Sequence, residues 1–262
     1  VSDELMVAYT ADPGIPLQAL TITLTSDAAD PLPTLSVRTT CEDPASETVC
    51  ATDEAVEVPN VAGGTTLFFL AEDTTPGATI HIHVDAAAVT TLGAGEPCTP
   101  GSATEVCDAS QSLQCFDFGS DTATCVVPQT LSGSLDDGTD PTWTRASSTC
   151  GTDDDVVPFD AYTVTNANAS DVQLSVATHT PGDPTTCAFD MLAWAYSDPF
   201  DAGTGTCVVG DDDSGVGTCP VFTTTVAAGA TIDVVVSPFI SGRGPYDIDF
   251  ATQGGDLTIT AQ

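Results

Sequence analysis

Val226-Ala227-Ala228-Gly229-Ala230-Thr231-Ile232-Asp233-Val234-Val235-Val236 is the stretch on which the fold is read. A Gly-containing turn runs directly into β-branched residues, which pack well on a pleated surface and are stiff at χ1. Ahead of it stand the strand signal Phe189-Asp190-Met191-Leu192 and the acidic turn Asp211-Asp212-Asp213-Ser214-Gly215. Outward from there the same texture recurs. Leu20-Thr21-Ile22-Thr23-Leu24 and the runs 66–70, 79–84, 172–176 and 232–236 are strand-like, separated by Gly, Pro, Asp and Asn. No window holds a sustained helical period with caps, the nearest approach being a single turn around 85–89. An all-β fold is predicted.

The chain has 262 residues and 41% hydrophobic content, enough for packed cores in one large or two ordinary domains. Two strand-rich units, 1–92 and 129–262, flank a cysteine-dense segment, 93–128. The outer units read as a diverged duplication. Leu5-Met6-Val7-Ala8-Tyr9-Thr10 answers to Phe159-Asp160-Ala161-Tyr162-Thr163-Val164, Leu35-Ser36-Val37 to the stretch from Met191 to Trp194, and Val61 through Phe69 to Val226 through Val234. Two β-sandwiches of one kind are therefore expected rather than one large barrel.

From Phe159 to Phe250 the order of signals resembles the bacterial pre-peptidase C-terminal domain, a small secreted β-sandwich. The residues that carry the resemblance are the opening strand (Phe159, Ala161, Tyr162, Val164), the Asp190-x-Leu192 strand, the acidic turn, the Gly229 turn, the triple-Val strand and the closing Gly244-x-Tyr246 strand. The resemblance implies a disulfide-stapled, jelly-roll-like module. It also implies that a calcium-binding member uses its opening segment, here Asp153-Asp154-Asp155. Such modules ordinarily accompany a catalytic domain.

Charge narrows the partners. There are 38 Asp and Glu against three Lys and Arg, a formal charge of -35. Such a surface repels phosphate backbones and anionic headgroups, which argues against nucleic-acid and membrane-surface binding and favours cations. The run contains no stretch long and apolar enough to span a bilayer, so direct membrane insertion is not expected, and Val1 reads as the start of a processed, exported chain.

Ten cysteines with few histidines nearby and no C-x2-C spacing read as a disulfide framework rather than a zinc site, and so as an oxidising compartment. Cys41 with Cys50 and Cys207 with Cys219 each bracket a short loop, which leaves Cys150 with Cys187. In the middle segment Cys98, Cys107, Cys115 and Cys125 allow three pairings. The interleaved one, Cys98 with Cys115 and Cys107 with Cys125, is preferred because it resembles small knotted extracellular spacers.

The acidic turn is the best candidate site. Asp211, Asp212 and Asp213, joined by Asp190 and Asp198, offer hard oxygens for Ca²⁺, although three consecutive Asp cannot all face one ion. In the first unit Thr34 and Asp53-Glu54 stand where the second has Asp190 and the triple Asp, so no equivalent site is expected there. Hydrolase motifs are missing: there is no G-x-S-x-G elbow and no H-E-x-x-H helix. Trp194 sits in an alternating run and reads as core, whereas Phe116 and Phe118, in a segment with little core of its own, read as an exposed contact patch or as packing on a sandwich. The sequon Asn168-Ala169-Ser170 permits glycosylation but is short enough to arise by chance. The expectation is a secreted, non-enzymatic structural or adhesive protein that assembles with copies of itself or other extracellular proteins; the alternative is an accessory module targeting matrix protein or glycan. The C-terminal run 256–262 is expected to pair with 246–252 as a hairpin, or else to add to a neighbouring copy.

Overall fold

The structure, a computed structural model, describes residues 3–26, 34–40, 44–52, 55–73, 79–100, 102–119, 122–136, 140–197, 200, 205–239 and 242–262. Among them the chain is all-β, with helical structure limited to the 3-10 turns Pro44–Ser46 and Ala109–Gln111. Two compact units emerge: Val1–Leu92 with Gly101–Val106, and Gly93–Pro100 with Cys107–Gln262. Most of the cysteine-dense segment thus belongs to the second sandwich and does not stand free.

The first unit contains β1 (Asp3–Thr10), β2 (Leu17–Ser26), β3 (Thr34–Arg38), β4 (Glu47–Ala51), β5 (Ala55–Ala62), β6 (Thr66–Asp73), β7 (Ile80–Ala88) and β8 (Thr90–Leu92). The helical turn expected around 85–89 is absent: Asp85 to Ala88 continue strand β7, paired with β2. Sheets ordered β1-β6-β3-β4 and β5-β2-β7 enclose a core of Leu20, Ile22, Leu24, Leu35, Val37, Val56, Val58, Leu67 and Phe69. The period-two spacing of Leu20, Ile22 and Leu24 puts all three on one face, where each is at most 1% exposed.

In the cysteine-dense segment lie β9 (Pro97–Cys98), β10 (Glu105–Cys107), β11 (Gln114–Phe116) and β12 (Ala123–Val126). The second sandwich continues with β13 (Gln129–Leu135), β14 (Thr142–Ala146), β15 (Thr152–Pro158), β16 (Asp160–Thr165), β17 (Val172–His179) and β18 (Met191–Tyr196). Then come β19 (Cys207–Asp211), β20 (Val221–Val226), β21 (Thr231–Pro238), β22 (Gly244–Gln253) and β23 (Thr258–Ala261). A four-stranded sheet, β13-β22-β17-β20, faces a five-stranded one, β19-β18-β21-β16-β23. Val164, Leu174, Val176, Met191, Val234, Val236, Tyr246 and Phe250 fill the space between them.

The opposite face of the five-stranded sheet is covered as well. Leu192, Trp194, Tyr196, Ala161 and Val235 pack under Trp143 and Val157 of the β14–β15 hairpin. Trp143 meets Phe159, Trp194, Tyr196 and Phe200 edge-on at centroid distances of 4.8–6.0 Å. Burial on both faces explains why Met191–Tyr196 is an unbroken hydrophobic run with no polar alternation. Trp194 is fully buried, in keeping with its reading as core, although the run around it does not alternate.

Both sandwiches use one strand order. The orders β4-β3-β6-β1 and β5-β2-β7 of the first are repeated as β19-β18-β21-β16 and β20-β17-β22 in the second. Details repeat too. Thr10 and Thr66 share a hydroxyl hydrogen bond of 3.0 Å, and Thr165 and Thr231 one of 3.2 Å. Each turn before β6 or β21 carries a glycine in the left-handed region, Gly64 at φ 81° and Gly229 at φ 70°. Register breaks at Val37/Arg38 and at Ala195/Tyr196, the same place in each.

The middle segment has the interleaved pairing, Cys98–Cys115 and Cys107–Cys125. The expected Cys207–Cys219 and Cys150–Cys187 bridges are replaced by Cys150–Cys207 and Cys187–Cys219. Proximity in sequence is the wrong guide here. Cys150 ends the β14 hairpin over the start of β19, and Cys187 precedes β18 beside the turn after Asp213. The Cys41–Cys50 pairing rests on Cys41, which lies outside the described residues; Cys50 is exposed and bonded to no described residue. Phe116 and Phe118 are not an exposed patch: they are 6% and 3% exposed, packed on Ala251 and Ala177 of the four-stranded sheet.

The C-terminal strand also corrects its expectation. β23 does not return along β22. At Gly254, with φ 95°, the chain crosses to the other sheet, and β23 pairs antiparallel with β16, Tyr162 opposite Ala261. The Gln262 amide then donates to Thr163 Oγ1 at 2.7 Å and Asp233 Oδ1 at 2.8 Å. Asn168 spends its side-chain nitrogen nearby, donating to Asn166 Oδ1 at 2.9 Å and the Asp256 carbonyl at 2.7 Å.

Candidate cation site and buried polar networks

Asp190 stands just before β18, and the acidic turn follows β19. The β18–β19 pairing sets Ala193 opposite Asp211 and so carries the turn toward Asp190. One carboxylate oxygen from each of Asp190, Asp212 and Asp213 lies within 4.8 Å of the other two. The Cys187–Cys219 bridge holds the loops behind them, and Gly215 is required where an added Cβ would fall 2.5 Å from the Cys219 carbonyl.

Within this group the charges work against one another. Burial and the Asp213 charge raise Asp190 above the usual carboxylate range, and burial, a hydrogen bond that protonated Asp212 donates to Asp213 and the charges of Asp213, Asp190 and Asp211 raise Asp212. Asp190 Oδ1 is buried with no hydrogen-bond partner. Three convergent carboxylates with one orphaned oxygen fit the donor chemistry of a hard divalent cation.

Other members of the predicted set do different work. Asp211 holds its own turn, accepting from Ser214 N at 3.1 Å, Ser214 Oγ at 2.6 Å and Val221 N at 2.9 Å. Asp153 and Asp155 leave the cation group for Arg145, each 2.9 Å from its Nη2. The reason is topological. Arg145 lies across the hairpin from them on β14, 4% exposed, and a buried guanidinium must be paired. Its Nη1 donates to the Phe239 carbonyl, and its Cζ lies 5.0 Å from the centroid of the Phe239 ring. Asp154 belongs to β15 and Asp198 lies outside the described residues, so neither is placed at a site.

A second network lies on the outer face of the four-stranded sheet. His179 Nδ1 is 2.8 Å from the Thr180 carbonyl and Nε2 is 3.2 Å from Asp249 Oδ2. Both partners only accept, so both ring nitrogens carry protons when both bonds form. The Asp249 hydrogen bond accordingly raises the His179 pKa, against the effect of burial. Burial raises Asp249, but hydrogen bonds from His179 and Thr130 together with the imidazolium charge hold it below the usual range. Adjacent Asp247 accepts from Ser132 Oγ at 2.7 Å and Gly182 N at 2.9 Å.

In the core, Tyr246 donates to Asp160 Oδ2 at 2.7 Å and meets the Tyr162 hydroxyl at 2.8 Å. Burial pushes Tyr162 up to about 12. Neither the His179–Asp249 pair nor the Arg145 cluster was anticipated. Signals existed for both: Asp247 and Asp249 alternate with Tyr246, Ile248 and Phe250, so the two acids share one face of β22, and Arg145 is one of three basic residues in the chain.

No family model matches the chain, and no curated protein matches it. Among solved structures, the M60 catalytic domain of Clostridium perfringens ZmpB with its CBM51-1 and CBM51-2 domains is similar at 11% identity and TM-score 0.25, over 97% of this chain and 34% of that one. This chain therefore spans about a third of that structure. The CBM22-1-CBM22-2 tandem of Paenibacillus barcinonensis Xyn10C gives 12% identity and TM-score 0.23, over 98% and 82%. The VP2 subviral particle of infectious bursal disease virus gives 10% and 0.19, over 100% and 78%. Scores of this size do not establish a shared topology, and the strand order above stands on its own.

Proposed function

We propose that this chain is an exported, non-enzymatic building block of a cell-surface or extracellular assembly, made of two pre-peptidase-C-terminal-like sandwiches. Four disulfides suit an oxidising compartment. Several buried titratable groups hold the framework, in the His179–Asp249, Arg145–Asp153–Asp155 and Asp160–Tyr246 contacts. The observation that carries the reading is the difference between equivalent edges. In the second sandwich β23 lies along β16; in the first, β1 stands at the end of its sheet among the described residues, with Leu5 and Val7 exposed. A strand of β23 type from a neighbouring copy fits that edge as β23 fits β16.

Ala11 N donates to the Thr65 carbonyl at 2.9 Å, so alternation along β1 turns the main-chain groups of Ala8 away from β6. Ala8→Pro therefore removes an outward donor and leaves the β1–β6 ladder intact. Sedimentation velocity should show species larger than the 26.6 kDa chain for the wild type and a shift to monomer for Ala8→Pro. A wild-type monomer at all concentrations contradicts the proposal and leaves the targeting-module alternative.

Ca²⁺ is the cation we assign to Asp190, Asp212 and Asp213, where it would neutralise mutually repelling carboxylates. Chelation should then lower the melting temperature of the second sandwich by about 5–10 °C, the shift expected when an ion at about a hundredfold excess over its dissociation constant is removed. Asp190→Asn with Asp213→Asn should abolish the difference. Equal stabilisation by monovalent salt at matched ionic strength would reduce the effect to screening and sink the assignment.

A further inference from the structure

Two of the chain's three histidines stand two residues apart on β7, in the run Ile80-His81-Ile82-His83-Val84-Asp85. Ile80, Ile82 and Val84 pack against the core of the first sandwich. Period-two alternation therefore turns His81, His83 and Asp85 together onto the outer face of the β5-β2-β7 sheet, where all three are exposed. Across the ladder they face Thr25, Thr23 and Thr21 of β2, and β7 is the last strand of that sheet among the described residues. Short hydroxyl side chains on one flank and a strand edge on the other leave room for the two imidazoles to turn toward each other.

The spacing suits chelation. Residues i and i+2 of a strand lie about 6.7 Å apart, and two ligand atoms on one tetrahedral ion about 3.3 Å, so neighbouring side chains must lean together. On this strand they do: His83 Nε2 stands 3.2 Å from Asp85 Oδ2, with the two side chains 72% and 70% exposed. That contact also prepares the ring. A carboxylate accepts, so Nε2 carries the proton of the neutral imidazole and Nδ1 presents its lone pair. Metal-binding histidines ordinarily donate one N–H to such a group and coordinate through the other nitrogen. His81 bears the same i to i+2 relation to His83, on the side opposite Asp85, which brings a second imidazole to the same ion. The chain's net -35 draws cations of every kind to its surface, but carboxylates favour hard ions, whereas a pair of imidazoles selects Zn²⁺, Cu²⁺ or Ni²⁺.

We propose that His81 and His83 chelate a divalent transition-metal ion, with Asp85 as the positioning residue for His83. The inference depends neither on strand addition at β1 nor on the Asp190 group, whose oxygens suit a hard cation. Zn²⁺ added to the full chain is the probe, in excess Ca²⁺ to occupy carboxylates. Three histidines give three imidazole C–H signals in the NMR spectrum, and buried His179 is the internal control. Above the ordinary imidazole pKa of about 6.5, Zn²⁺ should move the His81 and His83 signals along one saturation curve and leave His179 in place. His81→Gln and His83→Gln should each weaken binding about a hundredfold, because a single imidazole loses the chelate, and Asp85→Asn about tenfold. These positions are exposed, so the melting temperature of the metal-free chain should not change. An Asp85→Asn variant that binds as tightly as the wild type removes the positioning role. Signals that saturate independently, or a His83 signal that keeps its wild-type Zn²⁺ dependence in His81→Gln, would reduce the pair to two separate surface imidazoles and overturn the proposal. Zn²⁺ binding that calorimetry finds unchanged in the double variant His81→Gln, His83→Gln would place the ion on carboxylates and overturn it as well.

Discussion

Replacing His179 with leucine is expected to destabilise the second sandwich by about 3–5 kcal/mol, because it strands a buried carboxylate. The side chains of His179 and Asp249 are 8% and 1% exposed, so water cannot replace the lost partner. Thr130 and Gln114 still hydrogen-bond Asp249, which keeps the loss below that of a bare buried charge. The melting temperature should fall on the order of 10 °C. The same pair sets a pH window. His179 has a raised folded pKa, so its contribution is complete below about 6.5, the unfolded value, and is lost as pH rises through the folded one. Asp249 has a lowered folded pKa, so its contribution is present above about 3.9 and is lost as pH falls through the folded value. The groups facing the pair are Asp247 on the same strand, Thr130 and Ser132 on β13, Gln114 on β11 and Asp183 in the following turn. Thermal melts from pH 4 to pH 9 should show stability declining above the His179 transition in the wild type and a flatter profile in His179→Leu. Equal slopes would remove the pair as the cause.

Gly133→Ala is the second large effect. β13 sets Gly133 opposite Tyr246, and an added Cβ would lie 2.4 Å from both Tyr246 Cζ and its hydroxyl oxygen and 2.7 Å from the Tyr162 hydroxyl. Tyr246 is fully buried and bonded to both Tyr162 and Asp160, so it cannot swing aside without breaking that chain. Overpacking of this kind costs about 3 kcal/mol, or on the order of 10 °C in melting temperature. Gly93→Ala, whose Cβ would approach nothing closer than 3.6 Å, serves as the control in the same unit and should change little. Matching melts for the two variants would mean that β13 does not lie against Tyr246 as described.

Period-two runs such as Leu20 to Leu24 made the all-β class legible, because alternation places one set of side chains on one face whatever the tertiary context. Register was legible only in part: the alignment of Val61 through Phe69 with Val226 through Val234 agrees with the ladders, which set Thr66 and Thr231 in equivalent places. The repeat reading set Tyr9 against Thr163 and Leu35 against Met191, whereas the ladders make Tyr9 the counterpart of Val164 and Leu35 that of Ala193. The first slip is one residue, which exchanges the faces of a strand; the second is two residues within Met191–Tyr196, an apolar run buried on both sides that carries no alternation to fix its register. Cysteine pairing within the second sandwich failed for a related reason, although the interleaved pairing of the middle segment held. Bridges that join Cys150 to Cys207 across 57 residues are created by sheet order, which spacing does not encode. Of the acidic residues, composition pointed to the turn that lies beside Asp190 but could not sort Asp190, Asp212 and Asp213 from Asp153 and Asp155. Their fates depend on which strand brings Arg145 alongside.

Strand addition at β1 is the centre of the functional account, and hydrogen exchange reads it residue by residue. Ala8 and Thr10 direct their main-chain groups away from β6. Their amides should exchange slowly in concentrated, assembled protein and rapidly on dilution, while Val7 and Tyr9, bonded to β6, stay protected in both. Ala8 and Thr10 amides that exchange at one rate in assembled and dispersed protein would contradict it.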